Sequence, residues 1–152
     1  MERVEAEVAV RNLINQAVQA WNANDLEGYT RCFLPTVVHV TLEGVFLQGR
    51  EAFQRRFHEA APSGTVAFKT VHISHPVPTV AVAVVEATMA VADRPHKSFF
   101  WIGTITMVQM AQGEWQIAAM HNSQVEPEAR GWFAHAWQWI SGRPSSTGDP
   151  QA

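Results

Sequence analysis

The stretch "SFFWIGTITMVQMAQGEWQIAAMHNSQV", from Ser98 to Val125, is the part of the sequence that decides the fold class. It holds two runs rich in β-branched and aromatic residues, Ser98 to Met110 and Trp115 to Val125, on either side of the short turn signal AQGE. Because a connection this short joins antiparallel neighbours, the stretch predicts two adjacent antiparallel strands.

Two further strand candidates precede this pair, Thr65 to Ser74 and Thr79 to Val91, with HPVP and DRPHK as the intervening turns. The four runs together predict an antiparallel meander. Further upstream, the segment VVHVTLEGVFLQG predicts two short strands around Glu43 and Gly44.

The N-terminal part of the chain has helical rather than strand spacing. Apolar residues from Val4 to Trp21 recur at intervals of three and four, which predicts a long first helix. Asp25 is placed to cap a second helix, Leu26 to Phe33, which Pro35 would end. The segment REAFQRRFHEA predicts a third helix, with Ala52, Phe53 and Phe57 facing inward.

Helices followed by a meander predict an α+β fold in which the helices pack on one face of the sheet. Both faces of Val80 to Val91 and of Ser98 to Met110 are largely apolar, whereas a solvated antiparallel face should alternate with polar residues. Three helices cannot cover both faces. We therefore expect a second copy of the chain to cover the outer face in a twofold dimer.

Composition limits the classes of function. The chain has 152 residues, 47% of them hydrophobic, with a formal net charge of -3, which predicts one globular domain and no nucleic-acid binding. No apolar run reaches membrane-spanning length, and the start MERVEAEVAV is charged, so we expect a cytoplasmic protein without a membrane partner. The lone cysteine, Cys32, is interpreted as a small buried hydrophobe.

The C-terminal segment PEARGWFAHAWQWI places aromatic and aliphatic residues on one helical stripe. It predicts a helix over about 127–140, which closes a single domain of residues 1–140, and a disordered tail over 141–152. The stripe consists of Trp132, Phe133, Ala136, Trp137 and Ile140.

From about Val10 to Val125 the chain resembles the nuclear transport factor two-like superfamily, which includes SnoaL-like polyketide cyclases and ketosteroid isomerases. Three segments carry the resemblance: AWNANDLEGYTRCF, GVFLQGREAFQRRF and GEWQIAAMHNS, the last similar to the ending of the SgcJ/EcaC-like branch. The resemblance implies a conical, barrel-like fold in which a strongly curved antiparallel or mixed sheet wraps the helices around an apolar pocket.

The resemblance also bears on chemistry. Thr41 stands where ketosteroid isomerases carry their catalytic aspartate, and Ala17 lies near the place of their oxyanion tyrosine. Steroid isomerisation by that route is therefore disfavoured. Tyr29 lies on the helix segment from which this family often directs a hydroxyl inward, so we expect it to contact a ligand.

Two histidines are the main catalytic candidates. His39 lies two residues before Thr41 and so points to the same side, into the expected cavity; the alternative is a solvated strand edge. Strict alternation along the last strand places His121 on the face of Trp115 and Ile117. Depending on the register, Asn122 could face the cavity instead, or His121 could bond a neighbouring element.

Other candidates come from single side chains. Glu86 lies in an apolar strand, where desolvation would raise its pKa toward that of a general base, or where it would pair across the sheet. His72 shares a face with Phe68 on strict alternation, which makes it a secondary candidate for ligand binding. The expected cavity walls are aromatic: Trp21, Phe53, Phe57 and Trp101.

The sequence contains no metal-ligand spacing, glycine-rich phosphate loop or nucleophile motif, so we expect no metal and no cofactor. The first functional hypothesis is a cofactor-independent isomerase, cyclase, dehydratase or hydrolase of secondary metabolism, acting on a hydrophobic polyketide-like molecule. In it, His39 and His121 exchange protons with the substrate. The second is a non-catalytic protein that binds such a molecule or dimerises in a complex.

Overall fold

Three helices pack on one side of a sheet in the computed structural model, which describes residues 3–94 and 96–125. They are α1 (Arg3–Asn22), α2 (Leu26–Arg31) and α3 (Arg50–Ala60), and a 3-10 turn (Ala61–Ser63) follows α3. The expected helix near 127–140 and the tail 141–152 lie outside the described residues. No helix within the described ranges has both the length and the apolar character needed to span a bilayer.

Six strands form one sheet in the order β2-β1-β6-β5-β4-β3. The last four make the predicted antiparallel meander, and β1 pairs with β6 in parallel. The α+β class and the curved sheet are thereby confirmed. The strands are β1 (Phe33–Val40), β2 (Phe46–Gln48), β3 (Gly64–Val77), β4 (Val80–Val91), β5 (Ser98–Gln109) and β6 (Trp115–Gln124).

The helices are held to the sheet by apolar packing and by side-chain caps. The buried stripe of α1 repeats every three or four residues, as the sequence spacing predicts: Ala6, Val10, Leu13, Ile14, Ala17 and Ala20. At the end of α1, the Asn22 side chain donates to the carbonyl of Val66 at 2.9 Å and accepts from its N–H at 2.8 Å. Asp25 caps α2 as predicted, because its Oδ1 accepts from the N–H of Gly28 at 2.9 Å.

The second helix is shorter than predicted. It ends at Arg31 rather than Phe33, and Phe33 already begins β1. The difference follows from Pro35, because a proline disfavours helical geometry in the residue before it and its ring would clash with the carbonyl four residues earlier. The Arg50 guanidinium then fixes the start of β1 by donating to the carbonyl of Phe33 at 2.6 Å.

Two β-bulges change which side chains face the helices. In β6, Ala119 lies opposite Thr106 and Ile117 opposite Met107, so Ala118 is an extra residue. In β3, Val71 is the extra residue in the pairing with β4. Each bulge inserts one residue, so the face that was inward before it becomes outward after it, and the strand bends. Strict alternation along these strands, as the sequence predicted, is therefore wrong.

Candidate functional site

A cavity of about 500 Å³ lies between α1, α3 and the inner face of the sheet. Its size is that of a small-molecule pocket. Most of its wall is apolar, with aromatic rings on both sides of the space. The principal apolar residues are Trp21, Phe57, Phe68, Met89, Trp101 and Ile105.

Tyr29 is the centre of an aromatic cluster beneath the cavity. Its ring centroid lies 4.7 Å from that of Phe33 and 4.9 Å from that of Phe57, and Trp21 meets Phe57 edge-to-face at 5.3 Å. Burial, with a smaller contribution from the neighbouring Cys32, raises the pKa of Tyr29 well above its ordinary value. The hydroxyl is therefore a neutral phenol at any physiological pH.

His39 on β1 and Asn122 on β6 form a polar pair in this apolar wall. The Nε2 atom of His39 lies 3.1 Å from the Nδ2 atom of Asn122, a contact between residues 83 apart in the chain. The His39 ring also packs against Phe53, with 5.2 Å between the ring centroids. The parallel pairing of β1 with β6 is what brings the two residues together.

The environment of His39 keeps the imidazole uncharged. Burial above all, together with the Arg56 guanidinium and His121, lowers its pKa to about 4, although the Glu43 carboxylate opposes the shift. At neutral pH His39 is therefore in its free-base form. A neutral imidazole can accept a proton, or it can donate a hydrogen bond through the ring nitrogen that keeps its hydrogen.

Charged residues occur at the rim of the cavity. Arg56 on α3 donates to Glu43 on the β1–β2 loop at 2.7 Å, and both side chains are partly exposed. The loop itself is tight: the Thr41 hydroxyl accepts from the N–H of Val45 at 3.2 Å, and Gly44 adopts a positive φ of 77°. The cavity interior thus contains neutral polar groups, while the ion pair stays near solvent.

Most of the chain matches a known protein family. A model of the SnoaL-like domain matches residues 10–127. The chain belongs to the SnoaL-like domain family. The resemblance to the nuclear transport factor two-like superfamily is thereby confirmed. A comparison with functionally curated proteins gives no significant match.

Solved structures similar to this SnoaL-like domain share its fold. A protein with a cystatin-like fold from Caulobacter vibrioides is 22% identical and covers 87% of this chain and 98% of its own, with a TM-score of 0.73. A domain of unknown function from Nostoc punctiforme PCC 73102 is 18% identical, with coverages of 93% and 95% and a TM-score of 0.73. A ketosteroid isomerase-like protein from Erwinia carotovora atroseptica SCRI1043 is 12% identical, with coverages of 79% and 96% and a TM-score of 0.69.

The structure brings most of the expected site residues together. His39 and Thr41 both face the cavity, and so does Asn122, the alternative to His121. The expected aromatic residues also line it: Trp21, Tyr29, Phe53, Phe57 and Trp101.

His121 does not line the cavity of this SnoaL-like domain. It is exposed and lies opposite Thr104, which is exposed as well, on the outer face of the sheet. The bulge at Ala118 is the reason: Trp115 and Ile117 face inward before it, but after it Asn122 does. The prediction that His121 shares the cavity-facing side is wrong.

Glu86 and His72 also lie away from the cavity. Glu86 is on the outer face, where its carboxylate lies 3.8 Å from the ammonium of Lys69 across the strands, the cross-sheet pairing that was the alternative interpretation. His72 is exposed because the bulge at Val71 reverses the face predicted from Phe68. The expected positions of both residues in the site are therefore wrong.

Sequence reasoning missed several residues of the site. Arg56 lies three residues after Phe53, on the same helical stripe as the inward aromatics, and that spacing was a usable signal. Met120 and Gln124 became inward only through the bulge, for which the sequence gives no clear sign. Gly103 lies in the middle of β5, and a glycine inside a strand often marks a close approach by another group.

Within residues 3–94 and 96–125, no three histidine, cysteine or carboxylate side chains are grouped so that they could hold a metal ion.

Because the folded protein keeps His39 neutral, its stability should depend on pH. Between pH 6.5 and pH 4 the unfolded chain binds a proton on His39 that the folded chain does not, so stability falls as the pH is lowered through this window. We expect His39 to account for a loss on the order of 2 kcal/mol, discounted for its partial exposure. Urea unfolding at a series of pH values measures it.

The pH dependence of the His39→Gln variant should be flatter than that of the wild type over this window. His58→Gln, a matched exchange on the exposed side of α3, controls for loss of a histidine. Equal slopes for wild type and His39→Gln would show that His39 titrates alike in the folded and unfolded states.

Proposed function

We propose that this SnoaL-like domain binds a neutral, hydrophobic, polyketide-like molecule in its cavity and catalyses an isomerisation, cyclisation or dehydration on it without a cofactor. The observation that carries the proposal is the His39–Asn122 pair, a polar, uncharged constellation inside an otherwise aromatic and aliphatic wall. An apolar pocket with a few convergent polar groups is the usual form of a small-molecule site.

The surroundings of His39 support acid–base chemistry. Reactions at a carbon next to a carbonyl develop negative charge on the carbonyl oxygen, and a positioned donor in a site shielded from water stabilises that charge. An imidazole in its free-base form can supply such a donor or accept the proton that leaves carbon. The apolar walls would hold a reactive intermediate away from water.

A purely binding role is the second candidate, and one observation favours it. The side chain that contacts His39 is the neutral amide of Asn122, not a carboxylate that would raise the basicity of the ring. A carrier needs only shape and a few neutral hydrogen bonds. A probe ketone separates the two roles, because a carrier binds it without accelerating exchange of its α-hydrogens.

Filling the cavity should weaken ligand binding in either case. Ala60, at the end of α3, lines the cavity. The Ala60→Trp variant is expected to bind β-tetralone at least about tenfold more weakly in calorimetric titrations. The indole would occupy space that the ligand needs, and forcing both into the cavity costs about 1–3 kcal/mol. Ala111→Trp, in the exposed β5–β6 turn, is the matched control. Equal affinities for the two variants would place the ligand elsewhere.

We also propose that a second copy of the chain covers the outer face of the sheet. The middle of this face carries a group of half-buried apolar side chains, and Lys69 and Glu86 form an ion pair on the same face. Its apolar members are Val80, Val82, Val84, Phe100, Ile102 and Val108. A self-complementary surface of this kind suits a twofold contact.

Sedimentation velocity at micromolar concentration tests the dimer. The wild type should sediment as a dimer, and Val84→Glu, which buries a charge in the contact, should sediment as a monomer. Gln19→Glu, on the exposed side of α1, should remain dimeric. A wild type that is monomeric under these conditions contradicts the proposal.

A further inference from the structure

Gly103 leaves a gap in the inner face of β5 directly opposite Asn122. The two residues are paired across β5 and β6, and Gly103 is flanked on its own face by the bulky side chains of Trp101 and Ile105. A Cβ atom at Gly103 would lie 3.0 Å from the Oδ1 atom of Asn122 and 3.0 Å from a methyl carbon of Val85. The Asn122 carboxamide therefore lies next to the space that a side chain at Gly103 would occupy.

The two ends of the Asn122 carboxamide have different neighbours. Its Oδ1 atom lies on the side of Gly103, and its Nδ2 atom lies 3.1 Å from the Nε2 atom of His39. An amide nitrogen can only donate, so Nε2 must accept, and the hydrogen of the neutral ring must be on Nδ1. Asn122 thus selects one of the two tautomers of His39.

We propose that Gly103 is a positioning residue that acts through Asn122 to fix His39 as the Nδ1–H tautomer, so that a bound molecule meets a hydrogen-bond donor. The contact with a bound molecule rests on the proposed function, whereas the tautomer of His39 does not depend on it. Since Nε2 is engaged by Asn122, Nδ1–H is the group through which the ring would donate to a ligand. The ligand should therefore carry an acceptor oxygen at that place, as a ketone or other neutral carbonyl does.

The charges around His39 agree with a neutral ligand. Arg56 on α3 is paired with Glu43 on the loop after β1, and His121 lies on the opposite face of β6. The positive and negative charges nearest the ring thus compensate each other at the rim. A carbonyl oxygen needs a donor and no full countercharge, which matches what the pair of His39 and Asn122 supplies.

Long-range proton–nitrogen NMR of the histidine rings tests the tautomer in the full chain at neutral pH. In the wild type, His39 should show a pyrrole-type Nδ1 and a pyridine-type Nε2. Asn122→Asp replaces the donor by a carboxylate, which can only accept, and should reverse the assignment to Nε2–H. Ser123→Asp adds the same charge one residue away on the outer face and should leave the tautomer unchanged.

Gly103→Ala isolates the positioning role, because it alters neither member of the polar pair. The new methyl should displace the Asn122 oxygen, and His39 should then show averaged nitrogen shifts. If this variant fails to fold, Asn122→Asp still decides the tautomer. A wild-type His39 ring with its hydrogen on Nε2, or an unchanged His39 tautomer in Asn122→Asp, overturns the inference. An unchanged His39 tautomer in a folded Gly103→Ala variant would show that Gly103 does not position Asn122.

Addition of β-tetralone to the wild type separates this inference from the proposed function. A ligand-induced shift of the His39 Nδ1–H signal is expected. The predicted tautomer without any shift on adding β-tetralone would count against ligand binding at His39 and leave the assignment of Gly103 and Asn122 standing.

Discussion

Exchange of His39 for phenylalanine should slow the protein-catalysed exchange of the α-hydrogens of β-tetralone with solvent deuterium by about 10²–10⁴-fold, the range typical for loss of a positioned acid–base or oxyanion-stabilising group. His39 is a titratable side chain placed inside the apolar wall, and its contact with Asn122 orients the ring. Phenylalanine keeps the packing against Phe53 but removes both ring nitrogens. Proton NMR in deuterium oxide measures the rate.

His39→Gln refines this experiment, because glutamine retains a hydrogen-bond donor but cannot act as a base. If His39 serves as a donor, His39→Gln should keep more activity than His39→Phe, with a loss of about tenfold. If His39 takes up the proton, the two variants should be equally slow. His58→Phe on the exposed part of α3 is the matched control, and a His39→Phe rate equal to that of the wild type would remove His39 from the chemistry.

Truncation of Phe57 to alanine should lower the free energy of unfolding by about 3–5 kcal/mol, as is usual for a buried phenylalanine. Phe57 is 1% exposed and packs edge-to-face with Trp21 and against Tyr29, so it ties α3 to α1 and α2. Phe57 lines the cavity, so the space of the missing ring would add to it. Guanidinium unfolding followed by far-ultraviolet circular dichroism measures the change.

Two companion variants calibrate the Phe57 result. Phe57→Leu retains most of the volume and should cost about 1 kcal/mol. Phe99→Ala removes the same ring from a position that is 37% exposed and should change stability by about 0.5 kcal/mol or less. A Phe57→Ala effect as small as that of Phe99→Ala would mean that this wall of the cavity contributes little to the core.

The helices and the meander could be predicted because local spacing determines them. The apolar residues of α1 recur every three to four positions, and the turn signals between the long strands separate neighbours in the sheet. The end of α2 was harder to predict, because Pro35 disfavours helical geometry in the residues before it. The bulges at Val71 and Ala118 were not predictable, because the inserted residue is recognised only once the partner strand is in register.

The candidate site was predictable to the extent that it depends on local alternation. His39 and Thr41 face the cavity because they are two residues apart on an uninterrupted end of β1 and the loop after it. His121 was misplaced because the bulge intervenes between it and Trp115. Contacts between distant parts of the chain, such as His39 with Asn122 or Arg56 with Glu43, depend on strand and helix placement that spacing alone does not give.

The parallel pairing of β1 with β6 has a consequence for how the protein folds. The hairpins from β3 to β6 close short loops, whereas joining β1 to β6 brings together residues some 83 positions apart, at a larger entropic cost of loop closure. We therefore expect the meander to form early and β1 to dock late. His39 and Asn122 meet only at that docking, so a chain arrested before it would have most of its sheet and no assembled site.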